Sequence, residues 1–300
     1  MQRRHIKKIG VAILLAILLL VALIYAPIWD TAPPDVADLV VVRTEVPPEE
    51  NAYTYFLQAT SALRRIDGCL LSQYRQGLTN DEAAVSAVLA TNQAAIARIK
   101  LGVEQPFCQK PVIEKWTPFI FANVPISDFL EIGRLLETQA RYERMQGRMR
   151  EATDAALLLM RYGSRLQQAA DLIIEHLVAS GGVGMGLGQA EDLARDKRCG
   201  AAERERLAAA LAELESAATG LANVTKGESI FLADMLRQYE SGAASRHDFA
   251  LGLEPGLKRL CLSLLGRALV LPSYCVQYNR TQHWIVGDYR LLTAHASSTY

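Results

Sequence analysis

Pro125-Ile126-Ser127-Asp128-Phe129-Leu130-Glu131-Ile132-Gly133-Arg134-Leu135-Leu136-Glu137-Thr138-Gln139-Ala140-Arg141 sets the period on which the fold is read. Phe129, Ile132, Leu136 and Ala140 recur at three- and four-residue steps, while Glu131, Arg134, Thr138 and Arg141 fall opposite. That spacing makes an amphipathic helix with one buried stripe. Glu137 and Arg141 are four apart and predict a pair along its surface. Gly147 marks a turn, after which Ala152, Ala156, Leu159, Gly163 and Leu166 again share one face. Two helices joined by so short a turn lie antiparallel, and small residues on the second let the backbones approach closely.

The same period extends upstream. Pro47-Pro48-Glu49-Glu50 carries proline and acid start signals. Ala52, Phe56, Ala59, Leu63 and Ile66 then line a face up to Gly68, which ends or bends the helix. Thr79-Asn80-Asp81-Glu82 reads as a capping box, opening a helix with Val85, Val88, Leu89, Ala95, Ile96 and Ile99 inward. Asn92, in its middle, reads as a hydrogen-bonded core amide. Leu101-Gly102 stops it, and Pro106, Pro111 and Pro118 predict irregular chain beyond.

Downstream, helices are expected over 171–194, 200–218 (Leu207, Leu211 and Leu214 aligned) and 225–239 (Phe231, Leu232, Met235 and Leu236 inward). A polar loop covers 241–248. Pro255–Leu271 is a very apolar helix, interrupted by Lys258, Arg259 and Arg267, read as core or as an interfacial membrane contact. Asn279 caps a last helix bearing Ile285, Tyr289 and Leu292. Leu39–Val42 makes at most a short strand with no sheet to join. The fold class is therefore all-α: an antiparallel helical-hairpin array, or short α-solenoid, behind one N-terminal transmembrane helix.

That helix is Ile9–Trp29, whose run from Ile9 to Ile24 holds no charge. About 21 residues at 1.5 Å each give ~31 Å, the thickness of a hydrocarbon core. Arg3, Arg4, Lys7 and Lys8 precede it and Asp30, Asp35 and Asp38 follow. Cations stay on the cytoplasmic side, which places the N-terminus inside and residues 30–300 outside the inner membrane. The expected organisation is a basic tail (1–8), a signal-anchor (9–29), a spacer rich in proline and acid (30–48) and an exported all-α domain (49–300). A cleaved signal peptide is the alternative; no small-x-small site better than Ile24-Tyr25-Ala26 follows the run.

Lysine plus arginine number 32 and aspartate plus glutamate 32, so no charge excess calls for nucleic acid. The cysteines Cys69, Cys108, Cys199, Cys261 and Cys275 have no Cys-x-x-Cys or zinc spacing. In an oxidising compartment, Cys69–Cys108 and Cys261–Cys275 close the short loops and leave Cys199 over; five reduced and mostly buried thiols are the competing reading. Ser180-Gly181-Gly182-Val183-Gly184-Met185-Gly186-Leu187-Gly188 matches no phosphate-binding register and follows helix rather than strand. Gly182/Gly186 and Gly184/Gly188, four apart, predict close helix packing. Glu175-His176 lacks a His-Glu-x-x-His frame, and His5, His247, His283 and His295 add no metal spacing. Gly-x-Ser-x-Gly and Ser-x-x-Lys are absent. Asn223-Val224-Thr225 and Asn279-Arg280-Thr281 fit the glycosylation pattern, but both sit near expected helix starts, where capping explains them better. No catalytic, cofactor-binding or metal-ligating residue is assigned, and no cofactor is expected.

The 125–166 hairpin resembles one tetratricopeptide unit, with Tyr142 and Gly147 late in the first helix and Ala152 and Ala156 early in the second. It lacks that family's tryptophan, terminal proline and 34-residue recurrence. More broadly, Asn51-Ala52-Tyr53-Thr54-Tyr55-Phe56, Asn92-Gln93-Ala94-Ala95-Ile96, Met145–Ala156 and Tyr278-Asn279-Arg280-Thr281-Gln282 give the chain a resemblance to uncharacterised bacterial membrane-anchored helical envelope proteins. The resemblance implies a helical envelope protein and brings no active site. The expected function is a membrane-anchored scaffold or protein-interaction module, partnered by the bilayer through Ile9–Trp29 and by a protein. An envelope enzyme acting on glycan or lipid, or an apolar-ligand carrier, competes with it. The arrangement of Glu175, His176, Glu228 and the glycine segment is what separates these readings.

Overall fold

A computed structural model of the chain describes residues 35, 45–64, 66–111, 124–216, 224–228 and 230–231. The expected membrane helix, the Leu39–Val42 strand, the helices expected at 255–271 and beyond 279, and the pair Cys261–Cys275 lie outside the described residues. Among the described residues no helix is long and apolar enough to cross a membrane.

The described fold is all-α. A 3-10 turn, Pro48–Glu50, leads into α1 (Ala52–Ala62), α2 (Gly68–Gln76), α3 (Glu82–Thr91) and α4 (Gln93–Val103). Then come α5 (Ile126–Met145), α6 (Met149–Ala169), α7 (Ile173–Arg195) and α8 (Ala201–Ser216). These helices belong to one compact unit.

The hairpin forms as its spacing predicts. Gly147 takes φ +76° between α5 and α6, a left-handed conformation that glycine adopts at no steric cost. Ala152, Ala156, Leu159 and Leu166 are buried. Gly163 lies against α7, and α6 with α7 makes the most extensive helix pairing. The surface pair expected on α5 does not form. Glu137 instead binds Arg75 of α2 at 2.6 Å, and Arg141 donates to the Arg75 carbonyl and lies over the Tyr74 ring. Partners from another helix outcompete an i,i+4 neighbour because they join elements that are packed anyway. Thr138, expected outside, is fully buried with its hydroxyl donated to the Arg134 carbonyl.

Upstream the boundaries differ from expectation, each for a local reason. The first helix stops at Ala62, not Gly68, because Leu63 is extended and the Arg64 N–H is taken by Asn92 Oδ1 at 2.8 Å. Gly68 begins α2 instead: the Asp67 carboxylate caps the N–H groups of Cys69 and Leu70. The cap of α3 is Asp81, which accepts from Ala84, rather than Thr79. The expected continuous helix breaks at Asn92 into α3 and α4. Asn92 is a fully buried amide that donates to the Val88 carbonyl while holding Arg64, so one side chain satisfies polar groups of two segments. Cys69 is an exposed thiol and forms no disulfide with buried Cys108.

The core joins α1 and α4 to the hairpin. The Phe56 and Tyr162 rings meet edge-on at 5.0 Å, and Tyr53 meets Phe129 at 5.9 Å. Tyr162 donates to the Phe129 carbonyl, and burial pushes its phenol well above the usual range.

Candidate functional site

The residues singled out in sequence come together only in part. The carboxylates of Glu175 and Glu228 converge on the N-terminus of α7. Glu175, in the first turn, accepts from Asp171 N at 2.9 Å and Leu172 N at 3.3 Å, the backward half of a capping box. Glu228 Oε2 accepts from Ile173 N at 3.1 Å. Burial raises the Glu228 pKa; the Ile173 N–H opposes the rise and the Glu175 charge adds to it. His176 does not join them: its Nδ1 is buried without a hydrogen-bond partner among the described residues, and desolvation lowers its pKa, favouring neutral imidazole.

Lys110, which no sequence motif marked, is the centre of this cluster. Its ammonium lies 2.7 Å and 2.9 Å from the two Glu175 oxygens and 3.4 Å from Asp171 Oδ2. The three side chains are 4%, 8% and 7% exposed. A lysine buried with two carboxylates at these distances spends its charge on them, so the arrangement ties the loop after α4 to the start of α7. The adjoining cavity, walled by Tyr53, Phe129, Leu166 and Val178, has about 20 Å³ of water-accessible space, room for one water molecule.

The glycine segment divides by face. A Cβ on Gly163 would come within 2.6 Å of Val183 N, and one on Gly186 within 2.5 Å of the Met160 side chain and 3.0 Å of its backbone N. Gly182 faces the Gly163 backbone, whereas Gly181, Gly184 and Gly188 have open space around them. Thus the Gly182/Gly186 pair packs as its spacing predicts and Gly184/Gly188 does not. Two residues turn a helix by ~200°, so the two pairs face opposite ways and only one meets α6.

Among the described residues, one open recess lies along α1, lined by Thr54, Leu57 and Arg98, and another runs along the outward side of α6 between α4 and α8. One part, about 300 Å³, is lined by Val103 at the end of α4 and Glu104 just beyond it, Arg161 and Arg165 of α6, and Glu213 and Leu214 of α8. A second part, about 340 Å³, shares Val103, Glu104 and Arg161 and extends to Lys100, Asp154 and Arg206. Together the α6 residues lining the two parts run from Asp154 to Gln168, a rise of roughly 21 Å along the helix. Sequence reasoning missed it because its walls come from helices far apart in the chain. The available signal was the placing of Asp154, Arg161 and Arg165 on the polar side of a strongly amphipathic α6.

Comparison with protein-family models, with curated proteins and with solved structures finds no match for this chain.

Proposed function

We propose that the chain is a membrane-anchored helical interaction module that binds a partner polypeptide in the groove along α6. The observation that carries this reading is the groove itself: open, long, mixed in polarity and built on rigid helices rather than loops. Its length matches an extended segment of about six residues. The sequestered Lys110–Glu175–Asp171 cluster, with space for a single water beside it, favours binding over catalysis in this unit.

The tetratricopeptide-like character of the hairpin belongs to the same reading: stacked antiparallel helices leave a concave surface where partner chains lie. Ile9–Trp29 is the anchor in this proposal and keeps the module at the outer face of the inner membrane. Placing arginines at Leu15 and Leu19 is expected to release the chain from carbonate-washed membranes, since each costs about 2.5–3.5 kcal/mol at a bilayer centre. A native chain that carbonate already strips away argues against the anchor.

The groove is tested by photocrosslinking in living cells, with a photoreactive residue at Ser164 inside it or at exposed Leu78, just beyond α2. A polypeptide adduct is expected from Ser164 and not from Leu78. Adducts from neither position, or equally from both, would sink the groove as a binding site.

A further inference from the structure

We propose that the groove along α6 selects an acidic partner segment, whose carboxylates seat on the guanidinium groups of Arg161 and Arg165. This rests on the reading of the groove as a polypeptide site and adds the chemistry of its occupant.

The charges lining the groove are not equally spent. Arg206 and Asp154 bind each other at 2.5 Å. Arg161 is held loosely, with Nη1 3.8 Å from Glu104 and Nη2 3.7 Å from Glu213, both beyond hydrogen-bond distance. Its guanidinium makes no hydrogen bond among the described residues. Arg165 uses Nη1 alone, for the Pro106 carbonyl at 3.4 Å and Gln168 at 3.1 Å. A guanidinium carries five donors in a planar fork shaped for bidentate carboxylate binding. Two such forks in one recess therefore hold most of their donor capacity in reserve.

The nearest competing carboxylate is weakly placed: the Glu104 side chain is 71% exposed and can turn into water at little cost when a better-aligned carboxylate arrives. Spacing agrees with an extended ligand. Arg161 and Arg165 stand one turn apart, a rise of ~6 Å, and alternate side chains of an extended chain repeat every ~6.6–6.8 Å. Two acids separated by one residue thus meet the two arginines in register. Val103 and Leu214 offer apolar walls to the flanks of the segment.

The test measures fluorescence anisotropy of the full chain, in detergent, with labelled octapeptides alternating Leu with Glu, Gln or Lys. The Glu peptide is expected to bind about tenfold tighter than the Gln peptide, the effect of one added charge-assisted contact. The Arg161→Gln/Arg165→Gln variant is expected to lose that preference while keeping the native melting temperature, since neither arginine anchors the core. Equal affinity for the Glu and Gln peptides, a preference for Lys, or a Glu preference surviving in the double variant overturns the proposal. If acid selectivity fails while the Ser164 adduct forms, the groove is a polypeptide site without it. Failure of all three peptides together with loss of that adduct overturns both readings.

Discussion

Gly163→Ala is expected to destabilise the fold by about 3 kcal/mol, whereas Gly184→Ala is expected to leave it unchanged or stabilise it by about 0.5–1 kcal/mol. The two substitutions add the same methyl group to neighbouring helices. At Gly163 that methyl meets the Val183 backbone nitrogen at 2.6 Å and the Ala179 carbonyl at 2.9 Å. Backbone cannot rotate aside as a side chain can, so α7 must lift away from α6. Lifting loosens the most extensive helix contact in the unit. A Cβ at Gly184 meets no atom of another described element within 4 Å, and the helix simply gains from replacing its most flexible residue. In a thermal melt the first variant should fall by roughly 10 °C and the second should not fall. Comparable losses in both would show that α6 and α7 do not meet along the Gly163–Gly182–Gly186 line.

Lys110→Met is expected to cost about 3–5 kcal/mol, because it leaves the Asp171 and Glu175 carboxylates buried without a counter-charge. Glu175→Gln removes one charge yet keeps acceptor oxygen for the N–H groups of Asp171 and Leu172, so its cost should be smaller. The double variant Lys110→Met/Glu175→Gln should lose less than the sum of the two, since the second change removes the charge that the first strands. Urea unfolding of the four proteins gives this cycle directly. Additive losses would mean that Lys110 and Glu175 stabilise the fold independently, contrary to their 2.7 Å contact. A loss below ~1 kcal/mol for Lys110→Met would place the lysine in water instead, where such pairs contribute little.

Among the described residues, the helical class and most helix positions follow from the sequence alone. A buried stripe on a helix is a local matter of 3.6-residue periodicity, and the α5–α6 hairpin carried that pattern in full. Gly147 as a turn and Asn92 as a core amide were legible for the same reason, since a lone amide in an apolar stripe must find hydrogen bonds. Termini were less legible. Which of Thr79 and Asp81 caps α3, or whether Gly68 ends one helix or starts another, turns on single hydrogen bonds that neighbouring residues compete for.

Tertiary structure alone decided the rest. Glu137 pairs across to Arg75, 62 residues away, and Lys110 reaches Glu175 across 65. No spacing rule registers such partners, because they meet only after the helices pack. The glycine segment has both parts: period four marked two candidate faces, and only the placing of α6 chose the Gly182/Gly186 face. The groove is the extreme case. Val103, Arg161 and Leu214 carry no shared motif, and their common recess exists because α4 and α8 flank the same side of α6. Periodicity belongs to the chain, whereas a surface recess belongs to the packing of several chain segments at once.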